Sequence, residues 1–177
     1  CGRAFTVHYV PCGSGVKGTV GDYLDDVKPG EVVVIDNAGR TTCTVWGDLL
    51  SITATHKGVA GTLIDGVCRD LPTIHELNYN IFTKGYYMVT GKDRVEVDQV
   101  NVPVSVSGVR IEPGDLVVGD ATGVVIVPQI KAEKVLAVAK EIAEKEAQIE
   151  ANVRAGMPVG EARAKVGYHH LQTRVEE

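Results

Sequence analysis

The chain has 177 residues, 44% of them apolar and 23% charged, which suffices for one well-buried core and is short for two. A formal net charge of −5, with Lys and Arg scattered instead of clustered, argues against a nucleic-acid binder held through phosphate contacts. No apolar run reaches the roughly 20 residues that span a bilayer, and Cys1-Gly2-Arg3-Ala4 is not a secretory signal, so a cytoplasmic protein with no membrane partner is expected.

Through the first two-thirds, short Val- and Ile-rich runs broken by Gly and Pro read as strands and turns. Strands are expected over 4–9, 31–36, 61–64, 81–82, 86–89, 102–104, 116–118 and 123–127, and helices over 20–26, 48–57 and 71–77. That mixture implies an α/β or α+β class in which β dominates. A Pro-Gly-acid turn, an apolar run and a closing Asp occur twice, at 28–36 and at 112–120, compatible with a structural duplication or with one common kind of strand entry.

From Gln129 to Ala155 the pattern changes. Val135, Val138, Ile142, Ile149 and Val153 fall on a 3-4 spacing, which predicts one long helix ended by Gly156 and Pro158. The tail over 157–177 is polar, with a short helix expected at 161–165, and is expected to lie on a surface or on a neighbouring subunit. One domain over 1–156 followed by this tail is the expected organisation. The chain starts at Cys1 without a methionine, compatible with a missing natural N-terminal segment. Cys1, Cys12, Cys43 and Cys68 contain no Cys-x-x-Cys pair, so reduced thiols are expected, not a zinc site or a disulfide framework.

Three features can carry chemistry. Gly47-Asp48 stands between an extended segment and a helical one, which makes Asp48 a natural N-cap and leaves the amides of Leu49 and Leu50, with the helix dipole, facing a small anion. Arg69-Asp70 follows the apolar strand at 61–64, and ligands of α/β sheets gather beyond the carboxyl ends of strands. A guanidinium there can fork onto a carboxylate or steady an enolate oxygen, and an adjacent Asp can hold a hydrated divalent ion. Taken alone, the first reads sooner as a helix cap and the second as an exposed turn with a local ion pair; Asp65 reads equally as a turn former before Gly66. Glu146 is the third feature. Its spacing from Ile142 and Ile149 sets it on the apolar stripe of the long helix, where a carboxylate either finds a partner or snorkels at the stripe's edge, whereas Glu144 points to the opposite side. His8, His56, His75 and the pair His169-His170 have no ligand-spaced companions and read as structural or surface residues. No Gly-rich phosphate loop and no Ser nucleophile elbow is present.

Gly47-Asp48-Leu49-Leu50, Gly58-Val59-Ala60-Gly61, Ile64-Asp65-Gly66-Val67-Cys68-Arg69-Asp70, Val100-Asn101-Val102-Pro103-Val104 and the run from Pro113 to Asp120 together resemble the RraA-like family over about residues 2–156. That family includes class II 4-hydroxy-4-methyl-2-oxoglutarate / 4-carboxy-4-hydroxy-2-oxoadipate aldolases and regulators of ribonuclease activity. The resemblance implies a single α/β domain of swivelling β/β/α sandwich type with a long C-terminal helix, assembled into trimers or hexamers with the active site between subunits. It implies that Asp70 binds Mg2+ or Mn2+, mostly through waters, and that Arg69 contacts the pyruvyl oxygen and steadies the enolate. It further implies that Gly47, Leu49 and Leu50 receive the substrate carboxylate, that Asp48 orders or deprotonates a water, and that Glu146 reaches the site of an adjacent subunit. Thr73 stands where many active members carry an acid, and Val10 to Gly15 replace the Pro-Pro-Gly-Asp-Asn run of many aldolases. The expected function is therefore a metal-dependent carbon-carbon lyase acting on small 2-oxo acids, by retro-aldol cleavage or by oxaloacetate decarboxylation, through a pyruvate enolate. The alternative is a non-catalytic regulator of a ribonuclease that acts by protein–protein contact.

Overall fold

Val33, Val34 and Ile35 expose no surface, as a strand covered on both faces requires. They belong to the middle one of three parallel strands, β1 (Gly2–Pro11), β2 (Val32–Thr44) and β3 (Gly61–Cys68), in which Val7 lies beside Ile35 and Ile35 beside Ile64. This computed structural model describes residues 1–13 and 18–168. The sequence pair His169-His170 lies outside that range, as does part of the Val10 to Gly15 segment.

Alternation along the strands feeds two separate cores. Phe5, Val7, Tyr9, Val33 and Ile35 point to one face, where they meet Trp46, Ala54 and Ile74. A 3₁₀ turn (Asp22–Asp26) and the helices α1 (Asp48–Lys57) and α2 (Leu71–Glu76) supply that layer. Ala4, Val32, Val34 and Leu63 point to the opposite face and pack on Val104, Val106 and Ile111. Those three come from a hairpin of β7 (Val104–Val106) and β8 (Val109–Ile111), turned through Ser107 and Gly108, both at positive φ. A small sheet, the main sheet and a helical layer are thus stacked as the expected β/β/α arrangement.

The main sheet is completed by β4 (Ile81–Phe82) and β5 (Gly85–Tyr86) on β3, and by β6 (Val95–Val100), β9 (Leu116–Asp120) and β10 (Gly123–Val127) on the side of β1. β9 and β6 share one edge of β1, pairing with Gly2–Arg3 and with Val7 to Pro11 respectively. Strands β6 and β8 were not expected, and β2 and β3 run well past their expected ends at Asp36 and Ile64. Asp65 is accordingly a strand residue and not a turn former. It is almost fully buried and joins β3 to the small hairpin, accepting the Ser107 N–H at 3.1 Å and pairing with Lys84 Nζ at 2.8 Å.

The two Pro-Gly turns are built alike. Gly30 and Gly114 both have positive φ, Lys28 N–H donates to Glu31 Oε2 at 2.8 Å, and Glu112 N–H donates to Asp115 Oδ2 at 2.9 Å. Yet β2 runs parallel to β1 and β9 antiparallel to it, so the likeness is a common strand entry.

The described chain forms two compact units, divided between Gln129 and Ile130. The second holds α3 (Ala132–Arg154) and α4 (Val159–Lys165), which pack on each other with Ala162 buried; the turn at Gly156 lies between them. No residue of α3 is buried, and Val135, Val138 and Val153 stay exposed. Among the described residues, no helix is long and apolar enough to cross a membrane.

Candidate active site

Segment 44–51 is cross-braced before any ligand is considered. Trp46 stacks on Tyr79 with ring centroids 5.9 Å apart, and its indole N–H donates to Ser51 Oγ at 2.9 Å, which in turn lies 2.8 Å from the Gly47 carbonyl. Thr44 Oγ1 accepts the Trp46 N–H at 3.2 Å and lies 2.8 Å from the Trp46 carbonyl. These bonds sit in the buried helix-side core, so the entry to α1 is rigid.

Asp48 is not the N-cap of α1. Gly47, in extended conformation, is the N-cap, and Asp48 is the first helical residue. The Asp48 carboxylate turns to its own next amide, accepting the Leu49 N–H at 2.7 Å. The amide of Asp48 is satisfied from elsewhere in the chain: it donates to Asp70 Oδ2 at 3.2 Å. Leu50 N–H remains as a first-turn amide that no helical carbonyl reaches. Of the two amides expected to receive a carboxylate, Leu49 is therefore occupied by a side chain and Leu50 is open.

Arg69 and Asp70 stand at the carboxyl end of β3. Arg69 N–H donates to the Trp46 carbonyl at 3.0 Å, and Arg69 Nε lies 3.1 Å from Asp70 Oδ2. Asp70 is the N-cap of α2 at φ 61° and ψ 40°, a left-handed conformation that Asp tolerates better than most residues. Gly47 makes this approach possible, because a Cβ there would lie 2.6 Å from Asp70 Oδ2 and 3.2 Å from Arg69 Nε. Thr73 sits half-buried on α2.

A cleft of about 580 Å³ opens over this junction. Trp46, Gly47, Asp48, Leu50 and Arg69 line it, together with Gly18 to Asp22. Thr90 and Lys92 also line it, and they were not singled out from the sequence. Lys92 lies in a short Thr-Gly-Lys-Asp turn whose spacing carries no periodic signal. Leu49, 75% exposed, lines the cleft as well.

Asp70 uses Oδ2 for both Arg69 and the Asp48 amide, which leaves Oδ1 for a ligand. Among the described residues no three His, Cys, Asp or Glu side chains converge. A cation here would be held by one carboxylate and several waters, the manner that suits Mg2+, and the Oδ1 that Asp70 leaves over fits that demand. Glu146 lies in the second unit, exposed on α3 between Ile142 and Ile149. The buried setting considered for it from helical phase is absent in the single chain, because the stripe it occupies is not covered there. Cys43 and Cys68 are buried thiols, and burial raises the Cys68 pKa.

The profile of the RraA-like family, described as Aldolase/RraA, matches residues 1–126. Protein DlpA of Legionella pneumophila is 37% identical over 94% of the chain, although the chain spans only 28% of that protein. A Halalkalibacterium halodurans protein named "Putative 4-hydroxy-4-methyl-2-oxoglutarate aldolase" is 39% identical over 82% of the chain and 68% of its own length. Among solved structures, an uncharacterized protein from Pseudomonas syringae pv. tomato superposes with a TM-score of 0.85 at 40% identity, covering 92% of this chain and 76% of the other. Streptomyces coelicolor RraAS2, described as an unusual member of the RNase ES inhibitor RraA protein family, gives 0.73 at 33% identity over 82% and 73% of the two chains.

Proposed function

Since the chain belongs to the RraA-like family, we propose that it is a divalent-metal-dependent lyase that cleaves 4-hydroxy-2-oxo acids of the 4-hydroxy-4-methyl-2-oxoglutarate type to pyruvate, and that decarboxylates oxaloacetate through the same pyruvate enolate. The observation that carries this reading is the junction of two elements at one carboxylate: Asp70 Oδ2 holds both Arg69 and the first amide of α1, and Arg69 and Asp48 line a cleft.

Each residue then has a task. Arg69, held at Nε, keeps its terminal nitrogens for the 2-oxo oxygen and for the charge that grows there as the enolate forms. Leu50 N–H and the N-terminal dipole of α1 receive the 1-carboxylate, beside the small Gly47. A Mg2+ or Mn2+ ion, held by Asp70 and waters, would supply further stabilisation of the same oxyanion. Asp48, with Glu146 contributed by another copy, moves the proton through a water. The exposed apolar stripe of α3, with Glu146 on it, supports a homo-oligomer, trimer or hexamer, as the setting of the complete site. Lys92 adds a second cation to the cleft, which suits a substrate with two carboxylates.

Purified protein incubated with oxaloacetate and with 4-hydroxy-4-methyl-2-oxoglutarate is expected to release pyruvate with Mg2+ and to stop with EDTA. Absence of metal-dependent pyruvate from both substrates refutes the lyase. The likeness to RraAS2 then favours the second reading, a non-catalytic regulator that binds a ribonuclease.

A further inference from the structure

We infer that Glu96 is a positioning residue of the cleft, fixing the strip 18–21 that forms one wall and thereby setting how tightly the oxo acid is held; the substrate half of this inference rests on the lyase reading above. Glu96 lies on β6 opposite Val10 of β1. Its Oε2 accepts the Gly18 N–H at 2.7 Å and its Oε1 the Gly13 N–H at 3.4 Å, so one carboxylate takes the backbone amides of both glycines. Hydrogen bonds to a charged acceptor are the stronger kind. Gly18 admits it closely, since a Cβ there would lie 3.0 Å from Glu96 Cβ and 3.3 Å from Oε2.

The strip is fastened on from there. Val97 N–H donates to the Thr19 carbonyl at 3.2 Å, and Tyr9 Oη donates to the Val20 carbonyl. At Gly21 the strip reaches α1: a Cβ there would come within 2.6 Å of Leu50 Cδ2. Gly18, Thr19, Val20, Gly21 and Leu50 all line the cleft that Asp48 and Arg69 line, whereas Glu96 does not. Glu96 therefore acts through the strip, and through the strip on Leu50, whose amide faces the substrate carboxylate. Without its carboxylate the wall loosens while the Arg69–Asp70 junction stays intact, so affinity falls and chemistry persists.

The test uses the full chain with Glu96→Ala and Glu96→Gln, read by hydrogen exchange over 18–24 and by steady-state kinetics with Mg2+ and oxaloacetate. For Glu96→Ala, exchange in the strip rises about tenfold with β2 and β3 unchanged, and KM rises about fivefold with kcat within about twofold. Glu96→Gln keeps one carbonyl acceptor for Gly18 and recovers most of both effects. Unchanged exchange overturns the inference whatever the activity, and faster exchange with unchanged KM, or a fall in kcat alone, overturns it as well. If the wild-type protein turns over no oxo acid, the lyase reading and the KM half fall together, and exchange by itself decides whether Glu96 fixes the strip.

Discussion

Asp70 Oδ2 lies 3.2 Å from the backbone nitrogen of Asp48, so the N-terminus of α1 is satisfied by a carboxylate from the far end of β3. The same oxygen takes the Arg69 guanidinium at 3.1 Å. Helix start, cation and carboxylate are thus one hydrogen-bonded unit, and a change at any of them is transmitted to the others.

Gly47→Ala places a methyl group 2.6 Å from Asp70 Oδ2. The carboxylate must withdraw, and the bonds to Arg69 and to the Asp48 amide go with it. A loss of about 1–3 kcal/mol, the usual cost of overpacking, is expected in denaturant unfolding, together with at least a tenfold fall in pyruvate release. A fully active variant would show that the close approach is incidental.

Asp70→Asn and Asp70→Ala separate the cap from the metal. Asn keeps an acceptor oxygen and tolerates the left-handed backbone at φ 61°, so its stability is expected within about 1 kcal/mol of wild type. Ala loses the acceptor and strains that backbone, costing about 1–3 kcal/mol. Neither is expected to bind Mn2+ in a calorimetric titration or to release pyruvate. Mn2+ binding by Asp70→Asn at wild-type affinity would remove Asp70 from the metal site.

Arg69→Lys keeps the charge and loses the fork. A lysine cannot hold Asp70 through one nitrogen while offering two others to substrate. About a hundredfold loss in kcat is expected, the scale on which removal of one oxyanion donor acts, with the unfolding midpoint little changed. Wild-type kcat would exclude a specific role for the guanidinium.

How far the sequence foretold this arrangement depended on range. The bounds of α1, β4 and β10 follow local signals and lie where they were expected. The cap of α1 was misplaced because local spacing singles out Asp48, whereas the group that satisfies its first amide comes from Asp70, and only the folded sheet brings the two together. Strand β6 escaped because its alternation, Val95-Glu96-Val97-Asp98, lasts only four residues before Gln99 breaks it, although Glu96 turns out to be the residue that ties strip 18–21. Helical phase put Glu146 on the apolar stripe of α3, and no residue of that helix is buried in the single chain. Lys92 had no pattern to betray it; only the cleft does.

Asp65 gives the fold a pH dependence apart from the site. Burial pushes its carboxyl up, but Lys84 and Ser107 more than offset this and hold it below its ordinary 3.8. A carboxyl lowered in the folded state contributes stability that is present above about pH 3.8 and is lost as pH falls through the folded value. Lys84→Met leaves a buried carboxylate without its cation, which costs about 1–3 kcal/mol at pH 7. Protonation relieves that cost, so the gap from wild type should narrow in unfolding measurements at pH 4. An equal gap at both pH values would contradict this role for the pair.

Enolate formation at Arg69 and Asp70 is the central claim, and deuterium exchange into the methyl group of pyruvate in D2O reads it without dependence on the natural substrate. With Mg2+, the wild-type protein is expected to exchange those protons at a rate followed by NMR, and EDTA, Arg69→Ala or Asp70→Asn should each return the rate to that of buffer. Exchange at the buffer rate by the wild-type protein with Mg2+, or undiminished exchange in the Asp70→Asn variant, would contradict the account.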